Sequence, residues 1–341
     1  MKKILIVTDS WRPTINGVTR VVENQTSFLR QQGFSVTIVH PGLFNSRPFF
    51  FYKDLLVPRA PAKKMATIFK EVNPDYIWLA TEGKLGRVAR HYCVKNNLEF
   101  ISSYQTNIPH YVSHYVGVQS ELLISIAYRY FTWFHKKSAA ILVASKSLEE
   151  ELSRRGFKNL FYCPLGIDTV LFQRNMNPPT GLDSFSHPVF VYAGRVSKEK
   201  NIEAFLTCGL PGTKVIIGAG PQKSALGKKY PKAVFTGWKQ GQALVDLLSI
   251  ADVFVFPSKT ETFGLVVVEA LACGLPVAAY DAMGPRDIIT HGVDGFLGDD
   301  LQASALRCPK LNREDCRKKA LQFSLGEVGK QFEAIVIAHP A

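Results

Sequence analysis

The sequence predicts an α/β protein in which two doubly wound domains, each built on a Rossmann-like parallel β-sheet, face each other across a cleft. Short, uniformly apolar runs alternate with longer stretches of helical periodicity, as expected for parallel strands that helices cover on both faces. The alternation weakens over residues 164–187, where prolines and glycines cluster, and then restarts. A length of 341 residues also favours two domains over one.

The elements of the first half follow from these patterns. Apolar runs predict strands over residues 4–8, 35–40, 76–80, 100–103 and 141–144. Helical periodicity predicts helices over residues 18–32, 86–96 and 146–155, and Gly33 supplies a stop signal for the first of them. The first domain is therefore expected to span residues 1–170, followed by a linker over residues 171–187.

The second half repeats the architecture without an obvious sequence repeat. Its predicted strands cover residues 189–193, 214–217, 233–236, 253–257 and 277–280. Predicted helices cover residues 198–207 and 242–249, and another begins near Phe263 or Gly264. These elements define a second domain over residues 188–311 and a C-terminal helical segment over residues 312–341, which is expected to cross back to the first domain. Ligands are expected at the carboxyl ends of the strands.

The charge of the chain indicates an anionic partner. The sequence has 41 Lys and Arg residues against 28 Asp and Glu residues, a formal net charge of +13, without a long basic arm. Charge alone does not choose between phosphates, nucleic acid and an acidic membrane, and an ordinary basic surface is equally compatible with it. A nucleic-acid-binding protein is the least favoured hypothesis, because the sequence has no recognised nucleic-acid-binding module.

The cysteines and the apolar runs indicate the cellular compartment in which the protein is expected. None of the six cysteines forms a CxxC pair, and several lie in apolar or helical contexts, so we expect free thiols in a reducing environment. The apolar part of the N-terminus is too short for a signal peptide, and no apolar run reaches the roughly 18 residues that cross a bilayer. We expect a cytoplasmic protein, with docking at the cytoplasmic face of a membrane left open.

Two glutamates flank the start of the helix that follows residues 253–257. Glu261 precedes the expected helix start, and Glu269 lies more than one turn inside the helix. The free amides of the helix N-terminus between them form an anion site. A ligand with a phosphate in the middle and hydroxyls at both ends fits this arrangement, and a nucleotide sugar is such a ligand.

Arg195 and Lys200 follow the strand at residues 189–193 and are expected to face the same crevice as Glu261. Fixed cations stabilise the negative charge that develops on a departing diphosphate. Taken alone, the two residues also fit an exposed surface pair. In the first domain, Gly17 lets the backbone approach a ligand at the start of a helix, although every such fold needs a turn there.

Several motifs together resemble GT-B glycosyltransferases of family 4, which are retaining enzymes that use nucleotide-activated sugars. The resemblance extends nearly end to end and includes residues 9–20 (DSWRPTINGVTR), 81–86 (TEGKLG), 164–168 (PLGID), 194–201 (GRVSKEKN) and 259–276 (KTETFGLVVVEALACGLP). The last two motifs are the most specific. Within the family, residues 81–83 and 102–111 are similar to bacterial GDP-mannose-dependent α-mannosyltransferases and to sulfoquinovosyl- and glucosyl-diacylglycerol synthases.

The resemblance implies roles for the residues at matching positions. Glu261 would hold hydroxyls of the donor sugar, Glu269 would bind the ribose, and Arg195 and Lys200 would neutralise the diphosphate. Backbone contacts with phosphate are implied near Gly17, Phe263, Gly264 and Leu265, and contacts with the base near Gly237, Trp238 and Lys239. The enzyme would move a hexose, with mannose favoured, from a GDP- or UDP-sugar to a lipid or glycan acceptor, with retention and without a metal or a separate cofactor.

One departure from the family pattern is Gln105, which stands where members usually carry a histidine. Gln donates and accepts hydrogen bonds but takes no proton. Two hypotheses follow: an active transferase in which a hydrogen bond from Gln105 suffices, and a catalytically impaired protein that binds a nucleotide sugar or a membrane.

Two further features have alternative interpretations. His110 and His114 have a spacing that suits a metal on a helix, but no third ligand is evident, so lining of an acceptor pocket is favoured. The aromatic cluster at residues 48–52, beside Arg47 and Lys53, fits either insertion into an acidic membrane interface or core packing.

Overall fold

A computed structural model describes residues 1–12, 16–49, 52–59, 61–105, 121–179 and 185–341. The chain divides into two compact units. Unit 1 comprises Met1–Gly166 together with Leu325–Ala341, and unit 2 comprises Ile167–Ser324. Each unit contains a six-stranded parallel sheet, which confirms the predicted α/β class with two doubly wound domains.

Unit 1 is built around buried apolar strands. Its strands are β1 (Lys3–Val7), β2 (Ser35–Val39), β3 (Ser46–Phe49), β4 (Tyr52–Pro58), β5 (Tyr76–Leu79), β6 (Ile101–Tyr104), β7 (Ala140–Val143) and β8 (Leu160–Tyr162). Its helices are α1 (Gly17–Gln31), α2 (Ala62–Val72), α3 (Lys84–Lys95), α4 (Glu121–His135), α5 (Lys146–Arg154) and, from the C-terminus, α13 (Leu325–Ile337). The sheet has the order β2-β1-β5-β6-β7-β8, and β3 pairs with β4 in a separate antiparallel hairpin.

Unit 2 has the same plan. Its strands are β9 (Val189–Ala193), β10 (Thr213–Ile217), β11 (Val234–Gly237), β12 (Val253–Phe256), β13 (Val277–Ala279) and β14 (Gly295–Leu297). Its helices are α6 (Ile202–Thr207), α7 (Lys223–Lys229), α8 (Gln242–Ser249), α9 (Leu265–Ala272), α10 (Pro285–Ile288), α11 (Leu301–Arg307) and α12 (Arg313–Leu321). The sheet has the order β11-β10-β9-β12-β13-β14.

Each sheet has one point at which the strand order reverses. In unit 1 the reversal lies between β1 and β5, and in unit 2 it lies between β9 and β12. The loops that leave neighbouring strands at such a point diverge to opposite sides of the sheet, which opens a crevice at the carboxyl ends of the strands. Ligands of doubly wound proteins bind in this crevice, so the two reversals are the places to look for a site.

The structure differs from the sequence prediction in several elements. The predicted helix over residues 198–207 is a 3-10 turn at Lys198–Lys200 followed by α6, because Asn201 between them has a left-handed backbone with φ of 52°. The prediction lacked α2, α4, α7, α10, α11, β8, β14 and the β3–β4 hairpin. Most of these are too short for periodicity to show, and α4 carries aromatic residues on several faces.

The C-terminal segment forms two helices that belong to different units. Helix α12 packs on α9 in unit 2, and α13 packs on α1 in unit 1. A methyl group on Gly329 of α13 would lie 2.4 Å from the Phe28 ring of α1, so the two helices touch at a glycine. Within the predicted linker over residues 171–187, Phe172 is buried and the Asn175 side-chain amide donates a hydrogen bond of 2.7 Å to the Asp246 carboxylate of α8.

The half-buried carboxylate of Asp9 joins the two loops at the reversal of unit 1. Asp9 follows β1, and its carboxylate accepts hydrogen bonds from the backbone amides of Leu85 (2.8 Å) and Gly86 (3.2 Å) at the start of α3. The Thr81 hydroxyl, after β5, donates to the same carboxylate at 2.9 Å. The helix N-terminus that a ligand anion would otherwise occupy is therefore filled by the chain itself.

Replacement of Asp9 by Ala is expected to lower the free energy of unfolding by about 2–4 kcal/mol, because two buried amides and a hydroxyl lose their acceptor. Chemical denaturation measures the change. Asp300→Ala is the matched control, since Asp300 caps α11 from an exposed position at 3.0 Å from the Ala303 amide, and it should cost only about 1 kcal/mol. Equal costs for the two variants would contradict the bridging role of Asp9.

The shifted pKa of Asp9 determines how the stability of the protein changes with pH. Burial raises the pKa of Asp9 above its ordinary 3.8, although the bonds from Leu85, Gly86 and Thr81 oppose the shift. The folded chain then binds this proton more tightly than the unfolded chain does. Relative to Asp9→Asn, the stability of the wild-type protein should rise as the pH falls through the raised pKa towards 3.8; a fall over that window would contradict the shift.

Candidate functional site

The reversal between β9 and β12 in unit 2 brings together the residues that the sequence singled out. The loop after β9 carries Arg195 and the 3-10 turn that ends at Lys200, and the loop after β12 carries Glu261. The ammonium group of Lys200 and the carboxylate of Glu261 form a direct ion pair. Their side chains retain 18% and 16% of their exposure, so the pair is shielded yet still reachable from solvent.

Glycines fix the backbone around Arg195. Gly194 has φ of 148°, and its amide donates to the Ile217 carbonyl at 2.9 Å. A methyl group on Gly218 would lie 1.8 Å from the Gly194 carbonyl oxygen, and one on Gly220 would lie 2.3 Å from the Val196 carbonyl oxygen. The turn at residues 218–221 is therefore a close approach of two loops, which no side chain would allow, and it holds the Arg195 segment from one side.

Helix α9 begins at the other side of the crevice. Its N-cap is Gly264, with φ of 102°, which has no side chain to accept a hydrogen bond from the first turn. Phe263 is buried against Phe323, with ring centroids 5.6 Å apart, so its side chain is not available to a ligand. The amides around Phe263, Gly264 and Leu265 thus form a helix N-terminus suited to an anion.

Glu269 lies one turn inside α9 and is 1% exposed. Glu261, by contrast, lies in the loop that precedes the helix and keeps 16% side-chain exposure. Along the chain, one glutamate therefore precedes the first turn of α9 and the other follows it.

The residues predicted to contact the base lie further along the sheet edge. Gly237 ends β11 with φ of 78°, and Trp238 follows it with 51% of its surface exposed. Strand β11 is two strands away from β9, so this position is about 10 Å from the reversal. A methyl group on Gly237 would lie 3.6 Å from the Lys223 ammonium, which adds a cation that sequence reasoning missed.

Two more residues contribute through contacts that the sequence did not predict. Gly284, in the loop after β13, lies under the Glu261 loop: a methyl group there would be 2.5 Å from the Phe263 carbonyl oxygen and 3.2 Å from Cβ of Glu261. The amide group of Asn201 donates to the Pro257 carbonyl at 3.2 Å, which joins the loop after β9 to the loop after β12. A glycine shortly after a predicted strand was the available signal for Gly284. Asn201 ends the motif at residues 194–201, but its bond to Pro257 could not be read from that motif.

Unit 1 holds the remaining predicted site residues. Gly17 is the first residue of α1, and the side chain of the preceding Asn16 caps this helix at 3.0 Å from the Thr19 amide. Gln105 follows β6, donates a hydrogen bond from its side-chain amide to the Ala80 carbonyl at 3.2 Å, and borders a small, partly open cavity of about 30 Å³. His110, His114 and the side chains of the aromatic cluster at residues 48–52 lie outside the described part of the chain.

Two further properties concern the residues that the structure describes. No three His, Cys, Asp or Glu side chains among them converge on a point where a metal ion could be held. Within the same residues, no helix has both the length and the apolar character needed to cross a membrane.

Comparison with protein families matches two models in succession. The model "Glycosyltransferase Family 4" covers residues 15–171, and the model "Glycosyl transferases group 1" covers residues 184–307. The second match contains Arg195, Lys200 and Glu261, and the first contains Gly17 and Gln105.

Similar proteins include several bacterial and plant enzymes. A GDP-mannose-dependent alpha-mannosyltransferase of Mycobacterium tuberculosis is 29% identical over 86% of this chain and 83% of its own length. The sulfoquinovosyl transferase of Arabidopsis thaliana is 27% identical over 83% of this chain and 60% of its own length. An alpha-monoglucosyldiacylglycerol synthase of Streptococcus pneumoniae is 24% identical over 96% of this chain and 84% of its own length.

Solved structures share the fold. Sucrose-phosphate synthase from Thermosynechococcus elongatus superposes with a TM-score of 0.79 at 18% identity and covers 98% of both chains. The Anabaena protein HepE in complex with UDP-glucose has a TM-score of 0.72 at 17% identity, over 99% of this chain and 100% of its own. The fold and the family matches define a glycosyltransferase of the GT-B class. More narrowly, the chain belongs to glycosyltransferase family 4, among the glycosyl transferases group 1.

Gly284→Ala is expected to displace the Glu261 loop, because the new methyl group collides with the Phe263 carbonyl. The free energy of unfolding should fall by about 1–2 kcal/mol because of the positive φ and by a further amount of about 1–3 kcal/mol because of the collision. Gly292→Ala is the control, since Gly292 also has positive φ but nothing within 4 Å of the added methyl group. Equal denaturation midpoints for the two variants would contradict close packing of Gly284.

Proposed function

We propose that this glycosyltransferase moves a hexose, with mannose favoured, from a GDP- or UDP-sugar to a lipid or glycan acceptor, with retention of anomeric configuration and without a metal. The observation that supports the proposal most strongly is the Lys200–Glu261 pair at the reversal of the unit 2 sheet, next to the N-terminus of α9. In this arrangement the cations and the backbone amides bind the diphosphate of the donor, and the carboxylates accept hydrogen bonds from its hydroxyl groups.

The diphosphate is the part of the donor that gains charge during transfer. When the bond between the sugar and the phosphate breaks, the leaving oxygen becomes negative, and donors fixed beforehand stabilise it at little reorganisation cost. Arg195 and Lys200 supply charge, and the amides at Phe263, Gly264 and Leu265 supply hydrogen bonds. In the proposed reaction these groups take the place of a divalent cation, and a leaving-phosphate oxygen helps remove the acceptor proton on the same face of the sugar.

Glu261 is proposed to hold hydroxyls of the donor sugar. Its carboxylate pairs with the Lys200 ammonium, and carboxylate oxygens accept hydrogen bonds from hydroxyl groups. Glu269, deeper in α9, is proposed to accept the ribose hydroxyls. The exposed Trp238 ring and Gly237 are proposed to bound the base, with Lys239 beside them.

The names of the relatives support the choice of donor and acceptor. Mannose is favoured because the similar proteins from Mycobacterium tuberculosis and Corynebacterium glutamicum are named GDP-mannose-dependent alpha-mannosyltransferases. A lipid acceptor is favoured because other relatives are named for glycolipid synthesis. We infer a peripheral contact with an acidic membrane at the cytoplasmic face, which the net charge of +13 would assist.

The direct test is turnover by the purified protein. Incubation with GDP-mannose, UDP-glucose and related donors, together with diacylglycerol and glycan acceptors, should give transfer with at least one pair. The product linkage determined by NMR should retain the configuration of the donor, and the rate should survive chelation of metals. A folded protein that turns over none of the donors would overturn the proposal.

Lys200→Ala and Glu261→Gln should each lower kcat/KM by about 100-fold or more, because each removes a charged contact with the reacting part of the donor. Steady-state kinetics measure the loss, and thermal denaturation checks the fold. Lys229→Ala is the matched control: Lys229 forms an exposed ion pair with Glu203 at 2.5 Å in the same unit and should leave the rate unchanged. Comparable losses in all three variants would contradict the assigned site.

Substitutions at Gln105 distinguish an active transferase from a catalytically impaired protein. We expect the Gln105 hydrogen bond to suffice, so Gln105→His should change the transfer rate only a few-fold, whereas Gln105→Leu should lower it markedly. Assays of both variants with the same donor distinguish the cases. Turnover that appears only in Gln105→His would instead establish a natural protein that binds its ligand without transferring sugar.

A further inference from the structure

We propose that Asn201 is a positioning residue of the donor site: its left-handed backbone and its side-chain bond to Pro257 hold Lys200 against Glu261. This inference rests on the proposed function for its consequence in ligand binding. Asn201 itself is not proposed to touch the donor.

The backbone of Asn201 sets the direction of Lys200. Lys200 is the last residue of the 3-10 turn, and Asn201 ends that turn with its amide donating to the Lys198 carbonyl at 3.1 Å. Its own carbonyl then accepts from the Ala204 amide at 3.1 Å and begins α6. With φ of 52°, one residue both stops the turn and starts the helix, and Asn tolerates this conformation better than other residues with a β-carbon.

The side chain of Asn201 fixes the distance between the two loops. Its amide group donates to the Pro257 carbonyl at 3.2 Å, directly after β12 and at the base of the loop that carries Glu261. Pro257 is buried, so its carbonyl depends on this bond in place of water. The Thr260 hydroxyl reaches the Glu199 carbonyl at 3.4 Å further along, and the Lys200–Glu261 pair closes the contact.

The loop that carries Lys200 is also held from within. The Ser197 hydroxyl donates to the buried carboxylate of Glu199 at 2.5 Å, so this segment has little freedom to adjust by itself. If the bond from Asn201 to Pro257 is lost, the whole segment shifts relative to the Glu261 loop. The ion pair between Lys200 and Glu261 should weaken as a result.

The chain offers a matched control in Asn159. This residue also has a left-handed backbone, with φ of 56°, and its amide group donates to the Ser138 carbonyl at 3.3 Å. It lies in unit 1, whereas the Lys200–Glu261 pair lies in unit 2. Asn159→Ala therefore removes the same conformational preference and the same kind of bond without touching the pair.

The first experiment does not depend on any ligand. A double-mutant cycle of Lys200→Ala and Glu261→Ala, followed by chemical denaturation, measures the coupling between the two side chains. The coupling should be favourable in the wild-type background, fall by half or more with Asn201→Ala, and persist with Asn159→Ala. A coupling that is unchanged by Asn201→Ala would overturn the proposal, even if the protein proves to be an active transferase.

The second experiment measures the affinity for GDP and UDP by calorimetry. Asn201→Ala should weaken binding of the preferred nucleotide about tenfold, and Asn201→Gly, which retains access to the left-handed backbone, about threefold. In the Lys200→Ala background, Asn201→Ala should have less than a twofold further effect. A full tenfold loss in that background would contradict action through Lys200. Absence of binding to either nucleotide by the wild-type protein would count against the proposed function alone, since the coupling experiment still decides the role of Asn201.

Discussion

The reversal of strand order between β9 and β12 is the constraint on which the site in unit 2 depends. Parallel strands that neighbour each other there send their loops to opposite faces of the sheet, and only the first few residues of each loop stay close. Lys200 and Glu261 meet within that short stretch, and Asn201 joins the same loops at their base. The glycines at residues 218, 220 and 284 complete the arrangement, because each lets a further loop pack directly on backbone.

The two units share one sheet topology but differ in what lies at the helix N-termini beside each reversal. At the reversal of unit 1, Asp9 fills the N-terminus of α3, and Asn16 caps α1. At the reversal of unit 2, α9 begins at Gly264, which has no side chain to serve as a cap. At α3 a phosphate would therefore have to displace Asp9 from the first amides of the helix. At α9 the N-cap residue has no side chain that a phosphate would have to displace. This difference, together with the adjacent cations, favours unit 2 as the phosphate-binding unit.

Much of this arrangement was predictable from sequence, and the limits have physical causes. The strands of both sheets and helices such as α1 and α8 were visible because apolar runs and helical periodicity report burial directly. The Glu261 and Lys200 motifs indicated an anion site because they follow strands. The roles of Asn201 and Gly284 were not predicted because they depend on tertiary contacts, with Pro257 for Asn201 and with Phe263 for Gly284. The break at Asn201 also split a helix that continuous periodicity had predicted.

A crystal structure with bound GDP or UDP tests the central claim most directly, because it locates the diphosphate. We predict that the two phosphates lie at the N-terminus of α9, in contact with Arg195 and Lys200, and that Glu269 faces the ribose. A diphosphate bound elsewhere, for example at the start of α1 with unit 2 empty, would contradict the assignment of the donor site to the reversal between β9 and β12.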